Sequence, residues 1–211
     1  MVLTERDERI IKEVSRWRGC LGRQIMTIGG FSGIRATDRR LKKLVDEGLL
    51  TRKKYIYGLA GIYQVTKKAQ RQFGFDIYLG TVRLDQAVHD MTVVDVYLFF
   101  KEKLSLSAES FTTEKEIRKN EGFATRTHVP DFLYEIFHEN KGQIICAEVE
   151  LSQKSKERLE ANVADNFIKY AEQKWIVPKT NKRVIAWLEE FKEKYPNVQI
   201  IDLGVIESGK F

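Results

Sequence analysis

Over residues 4–17 apolar side chains recur at helical spacing: Ile10, Ile11, Val14 and Trp17 form one face behind Thr4, which is placed to cap, and Asp7, three residues on, makes a short form of the capping box. GCLG ends this helix, a short one follows over about 23–28, and GGFSG breaks the chain. A third helix is predicted from Ser32, its N-cap, to Gly48, its terminator. Ile34, Leu41, Leu44 and Val45 share its apolar face; Ser32, Arg35, Ala36, Arg39 and Lys43 share the opposite face, with Arg40 and Lys42 on the flanks. Two strand-like runs, 49–57 and 61–66, are joined by GLAG, and Thr66 opens another short helix. Residues 84–104 read as a long helix that is apolar on two sides. Leu84, Val88, Met91, Val94 and Leu98, with Asp95 among them, form one side; Val93, Val96 and Phe100 form the other. Such a helix is buried on both sides, links the two halves, and can also serve as a dimer seam. His89, on the second strip, reads as a helix-contact histidine rather than a ligand.

The remaining pattern predicts a helix over 111–120, a strand over 128–137, a turn, a strand over 143–151, a helix over 152–174, a strand over 175–178, a helix over 181–195 and a strand over 198–206. That order is a mixed α/β layer, and the last two strands read as buried on both faces. The boundaries expected are 1–75, a linking helix within 76–108, and 109–211.

Charge changes the picture of the first part. Residues 1–74 hold 17 Lys/Arg against 7 Asp/Glu, a net of +10, while the rest carries −4, giving the chain its +6. A basic module followed by something else points to a polyanion partner, and the alternative is a solvated lysine-rich surface. Helix, helix, helix, hairpin, helix is the order of a winged helix-turn-helix, in which the third helix reads the major groove and the hairpin touches phosphates. Arginine binds guanine edges bidentately, and small residues let a helix approach closely. The DNA-binding candidates are therefore Ser32, Arg35, Arg39, Arg40 and Lys43 on the helix, and Arg52, Lys53 and Lys54 on the hairpin. A dimer on a two-fold site is plausible because one winged helix makes few base contacts.

Other classes recede. No window has the ~18 consecutive apolar residues of a membrane helix. MVLTERDERIIKEV lacks the basic-then-apolar order of a signal peptide, so a cytoplasmic chain is expected. Cys20 and Cys146 read as two reduced thiols rather than a disulfide. Three histidines with no clustered cysteines argue against structural zinc.

The hairpin HVPDFLYEIFHENKGQIICAEVELSQKS gathers acids at one end. Glu148 and Glu150 share a strand face, and a turn about Asn140–Lys141 would set Asp131 opposite Glu150. Three converging carboxylates repel, and Mg²⁺ held by Asp131, Glu148 and Glu150 would offset that repulsion. A carboxylate-held metal beside a DNA-binding module suggests phosphodiester chemistry. The alternative pairs Glu148 and Glu150 with Lys154, Lys156 or Arg158 at a sheet edge.

Pro130-Asp131 followed by Glu148-Val149-Glu150 resembles the PD-(D/E)XK nuclease core. The resemblance implies a restriction-endonuclease-like mixed sheet, a further acid (Glu114 or Glu116) from the helix before the hairpin, and an Asn166/Tyr170 pair similar to a Gln-x-x-x-Tyr motif. The family lysine falls at position 150, where this chain has Glu150; Lys154 or Lys156 would have to replace it. The winged-helix pattern, HDMTVVDVYLFF, TEKEIR, HVPDFLYEI and AEVELSQKSKERL together resemble the replication-relaxation family over about residues 4–170. This implies a DNA-binding accessory protein of plasmid replication or conjugative mobilisation, with a relaxase or replication protein as partner. It also makes an acid in place of the lysine a family habit, which weakens the case for cleavage. Three readings follow: a non-enzymatic DNA-binding protein, a Mg²⁺-dependent endonuclease using Asp131, Glu148, Glu150 and Glu114, and a transcriptional regulator.

Overall fold

The computed structural model describes residues 2–55, 57–58, 60–75, 81–121, 128–138, 141–152 and 155–208. The chain forms two compact units, Met1–Leu98 and Phe99–Phe211, and the division falls inside one helix.

The first unit runs α1 (Glu5–Arg16), β1 (Cys20–Leu21), α2 (Gly22–Gly29), α3 (Ile34–Asp46), β2 (Leu50–Lys53), β3 (Ile62–Val65), α4 (Lys67–Phe73) and the start of α5 (Ala87–Lys103). Its strands form an antiparallel sheet in the order β1-β3-β2. Strand β1 lies in the GCLG segment that reads as a helix end. Thr4 caps α1 with the reciprocal Asp7 bond in place, and Thr66 caps α4 through the Ala69 N–H at 3.1 Å. Ile10, Ile11, Ile25, Leu41 and Leu44 are fully buried, each contributing ~1.5–3 kcal/mol of transfer free energy. Gly48, at φ 69°, supplies the left-handed residue after α3.

Two expectations about α3 change. The helix starts at Ile34 behind Gly33, and Ser32 is exposed and makes no cap bond. Ile34 is 51% exposed rather than buried. The buried stripe begins one turn later with Thr37, whose hydroxyl bonds the Gly33 carbonyl at 3.0 Å and so enters the core satisfied.

Helix α5 is buried along nearly its whole middle, from Asp90 to Tyr97. Its apolar surface there is already covered within the chain, which removes the reason for a dimer seam. Leu84 lies before the helix and Val88 in its first turn, and both are exposed, at 61% and 53%. Its two buried acids take partners inside the unit: Arg18 donates to Asp90 at 3.1 Å, and Arg23 and Gln24 both donate to Asp95. His89 stands 3.7 Å from Asp90.

The second unit runs β4 (Phe111–Thr113), α6 (Glu114–Glu121), β5 (Phe132–His138), β6 (Lys141–Val149), α7 (Lys156–Lys169), β7 (Glu172–Val177), α8 (Lys182–Phe191), β8 (Val198–Asp202) and α9 (Leu203–Ser208), after a 3₁₀ turn at Ala108–Ser110. One mixed sheet has the order β4-β5-β6-β7-β8, antiparallel through β6 and parallel beyond it. Leu159, Val163, Trp175, Val177, Val184 and Leu188 form the core between α7, α8 and the sheet. Phe111, Phe132, Tyr134 and Phe100 pack ring to ring on the other face, with centroids 5.3–6.4 Å apart.

Four boundaries move. Phe111–Thr113 is a strand, not the start of a helix. The long helix ends at Lys169, and Glu172–Lys174 belongs to β7. Leu203–Ile206 is helical, and β8 is an edge strand with Gln199 exposed, so of the last two strands β7 alone is buried on both faces. Both cysteines are buried thiols outside any disulfide. Among the described residues no helix is long and apolar enough to cross a membrane.

Candidate functional site

In the first unit α3 divides sharply. Thr37, Leu41 and Leu44 face the core, while Arg35, Arg39, Lys42 and Lys43 are exposed. Within the described residues no hydrogen bond or ion pair ties these four basic side chains to the rest of the unit. Arg52, Lys53 and Lys54 are also exposed, and Arg52 lies over the Tyr63 ring at 5.6 Å. Leu59 of the hairpin turn lies outside the described residues. Arg40 has a different task. It grips the fully buried Asp7 with both Nε (2.6 Å to Oδ1) and Nη2, and donates to the Val2 carbonyl at 3.2 Å. Burial works to raise the Asp7 carboxyl, but the bonds from Arg40 and Thr4 outweigh it and hold the group below its ordinary value. Arg40 thus joins α3 to α1, a role that helical spacing alone does not reveal.

In the second unit the hairpin register pairs Phe132 with Ala147 and His138 with Lys141. The connecting residues, 139–140, lie outside the described residues. A turn one residue earlier than expected shifts the cross-strand partner by two. Stepping back from Phe132, Asp131 faces Glu148 and not Glu150. Asp131 Oδ2 accepts the Val149 N–H at 2.7 Å, and its carbonyl accepts the Glu114 N–H at 3.0 Å.

Glu148 is 4% exposed and sits on the α7 side of the sheet, paired with Trp175 of β7. Its Oε1 meets Nε2 of His128 and accepts from Asn166 Nδ2 at 3.0 Å. Burial pushes its carboxyl up, the neighbouring Asp131 charge adds to that, and His128 and Asn166 pull against it. Burial also pushes Tyr170 up to about 12, with smaller contributions from nearby groups that include Glu148. His128 carries no periodic signal in the sequence; only its place just ahead of the Pro-Asp pair marks it.

The other expected residues are engaged elsewhere. Glu150 is 2% exposed, and its Oε1 accepts from the Ser152 N–H and hydroxyl at 3.2 and 3.1 Å. Glu114 accepts from Arg118 at 2.9 Å, and Glu116 accepts the Thr113 N–H at 2.7 Å, in the manner of a helix cap. Lys156, a candidate replacement for the missing lysine, bonds Glu190 of α8 at 2.6 Å and not either strand acid. Lys154 lies outside the described residues.

A divalent cation is the group that this acid pattern implies. Among the described residues no three His, Cys, Asp or Glu side chains are grouped so as to hold one. Asp131 Oδ2 and Glu148 Oε1 are each already engaged in hydrogen bonds. The described side chains do not form a three-ligand cation site as they stand. What the arrangement can do is hold a buried carboxyl whose charge depends on its neighbours.

No family model matches the chain, and no curated protein matches it. Among solved structures, two of the restriction endonuclease FokI, one of them bound to DNA, align with it at 11% and 10% identity and TM-scores of 0.33 and 0.35. They cover 100% and 96% of this chain but 46% and 44% of theirs, so the chain spans less than half the length of the protein it matches.

Proposed function

We propose that the chain is a DNA-binding protein whose first unit reads a duplex as a winged helix. Three helices with a β1-β3-β2 sheet follow the winged-helix order, α3 serves as the groove-reading helix, and the β2–β3 hairpin is the wing. The observation that carries this reading is the uncommitted basic face of α3, Arg35, Arg39, Lys42 and Lys43, beside Arg52, Lys53 and Lys54. A helix about 10–12 Å across fits a major groove about 12 Å wide, and guanidinium groups meet guanine edges there. The second unit, on this reading, is a restriction-endonuclease-like sheet that serves as a scaffold or partner surface. The sequence resemblance supports a place in plasmid replication or conjugative mobilisation. The test is duplex binding by wild type and Arg39→Ala: a loss of ~1–3 kcal/mol on the preferred site is expected. Unchanged affinity and specificity would remove α3 from the interface.

A Mg²⁺-dependent endonuclease is the second reading, favoured by one observation: the register sets Asp131 across from Glu148. It predicts nicking of supercoiled plasmid with Mg²⁺ or Mn²⁺ that is abolished in Asp131→Ala. Absence of any metal-dependent nicking by the wild type would remove this reading.

A further inference from the structure

The duplex-reading proposal does not by itself account for Asp38 of α3, and the inference drawn from that residue rests on the proposal. Asp38 is exposed in the first half of α3, one residue before Arg39 and one turn before Lys42. Within the described residues no hydrogen bond or ion pair holds it. Burial raises the Tyr63 hydroxyl of β3 above its ordinary value, Arg52 opposes this, and the Asp38 charge adds to it. One turn ahead, Ile34 is 51% exposed on the same flank of the helix.

An acid on this face has a cost. It repels every phosphate that the surrounding arginines and lysines attract, so it weakens binding to any duplex regardless of sequence. Asp38 lies beyond the first turn, where an acid gains little from the helix dipole. An acceptor-only group is useful in the major groove where a base offers a donor, and a carboxylate accepts from the N4 amino group of cytosine. It meets only acceptors on guanine and thymine, and on adenine the N6 donor stands beside the N7 acceptor, which repels a carboxylate. An exposed aliphatic side chain one turn away offers apolar contact to a thymine methyl.

We propose that Ile34 and Asp38 form the base-discriminating edge of α3, with Asp38 accepting from a cytosine amino group and Ile34 packing on a thymine methyl. The basic residues supply attraction, and Asp38 spends part of it to reject wrong sequences.

The experiment first enriches duplexes from a random pool with the full wild-type chain. Wild type, Asp38→Ala and Ile34→Ala are then compared at one fixed salt concentration on three duplexes: the enriched one, the same with its contacted cytosine pair changed, and an unrelated one. Thermal melting confirms that the exposed substitutions leave the fold intact. Asp38→Ala is expected to bind the unrelated duplex severalfold more tightly. The cost of changing the cytosine pair, about tenfold in wild type, should vanish in that variant and at that position alone. Replacing the contacted thymine by uracil should weaken wild type and leave Ile34→Ala unaffected. Equal tightening by Asp38→Ala on all three duplexes would overturn the inference and make Asp38 a solvated acid, with the DNA reading intact. A wild type that enriches no duplex and shows no salt-dependent binding would overturn both.

Discussion

In the first unit Asp7 and Asp95 are buried against Arg40 and Arg23; in the second, Glu148 is buried against the His128 imidazole and the Asn166 amide, with Asp131 across the ladder. A guanidinium keeps its charge at every pH that a folded protein meets, whereas an imidazole does not. Asp7 and Asp95 therefore face permanent counter-charges, and these pairs fix geometry: Asp7 ties α1 to α3, and Asp95 ties α5 to α2. Glu148 has no arginine or lysine partner among the described residues, and burial pushes its carboxyl up rather than down. The same contrast sorts the basic residues. Arg40 and Arg23 are committed to acids, which separates them from Arg35, Arg39, Lys42 and Lys43 on the open face of α3.

The strongest way to break this comparison is to remove a fixed partner. Arg40→Ala leaves Asp7 fully buried with only the Thr4 cap. Taking one member from a buried pair costs about 3–5 kcal/mol, and the surviving cap bonds set the expectation near 3 kcal/mol in a denaturant titration. The pH dependence sharpens the point. The folded Asp7 carboxyl lies below its unfolded value, so its contribution is present above that unfolded value and is lost as pH falls through the folded one. Wild type should lose this stability in acid, and Arg40→Ala should lose less because it has less to lose. A variant as stable as wild type at neutral pH would show that the pair is ornamental and would return Arg40 to the DNA-binding set.

These pairs mark where the sequence stops being legible. Local chemistry reads well: the Thr4–Asp7 box, the Thr66 cap, the Gly48 stop and the outward face of α3 all depend on residues within a few positions of one another. Partners far apart leave no such trace. Arg40 and Asp7 are 33 positions apart, and His128 and Glu148 are 20 apart. Ile34 looks like core by periodicity, but it stands at the first position of α3 and is 51% exposed, and Thr37 takes the buried place with its hydroxyl satisfied by the Gly33 carbonyl. The acid cluster was half legible. Pro130-Asp131 and Glu148-Val149-Glu150 do stand at one end of one hairpin, yet a one-residue difference in the turn decides which glutamate Asp131 faces. Leu203–Ile206 is apolar enough for either a strand or a helix, and composition alone does not decide between them.

The smaller effect lies in the second unit and has the opposite sign. Glu148 ionises less readily folded than unfolded, so between the ordinary carboxylate value and its raised folded one the native state binds the extra proton. Stability then falls as pH rises through that window. Glu148→Gln keeps an amide oxygen for Asn166 and removes the charge. It should stabilise the chain at neutral pH by an amount on the order of 1 kcal/mol, the scale of single buried polar substitutions, and the gain should disappear once pH falls below the ordinary carboxylate value. Asp131→Asn is the finer probe. It retains an acceptor for the Val149 N–H but removes the neighbouring charge that helps to raise Glu148. Because burial is the larger cause, the pH dependence should shrink in that variant without vanishing. Thermal melts from pH 4 to pH 8 on wild type and both variants measure this. A Glu148→Gln variant that is destabilised at every pH would mean that His128 holds Glu148 as firmly as an arginine holds Asp7, and the contrast between the two units would fail at its root.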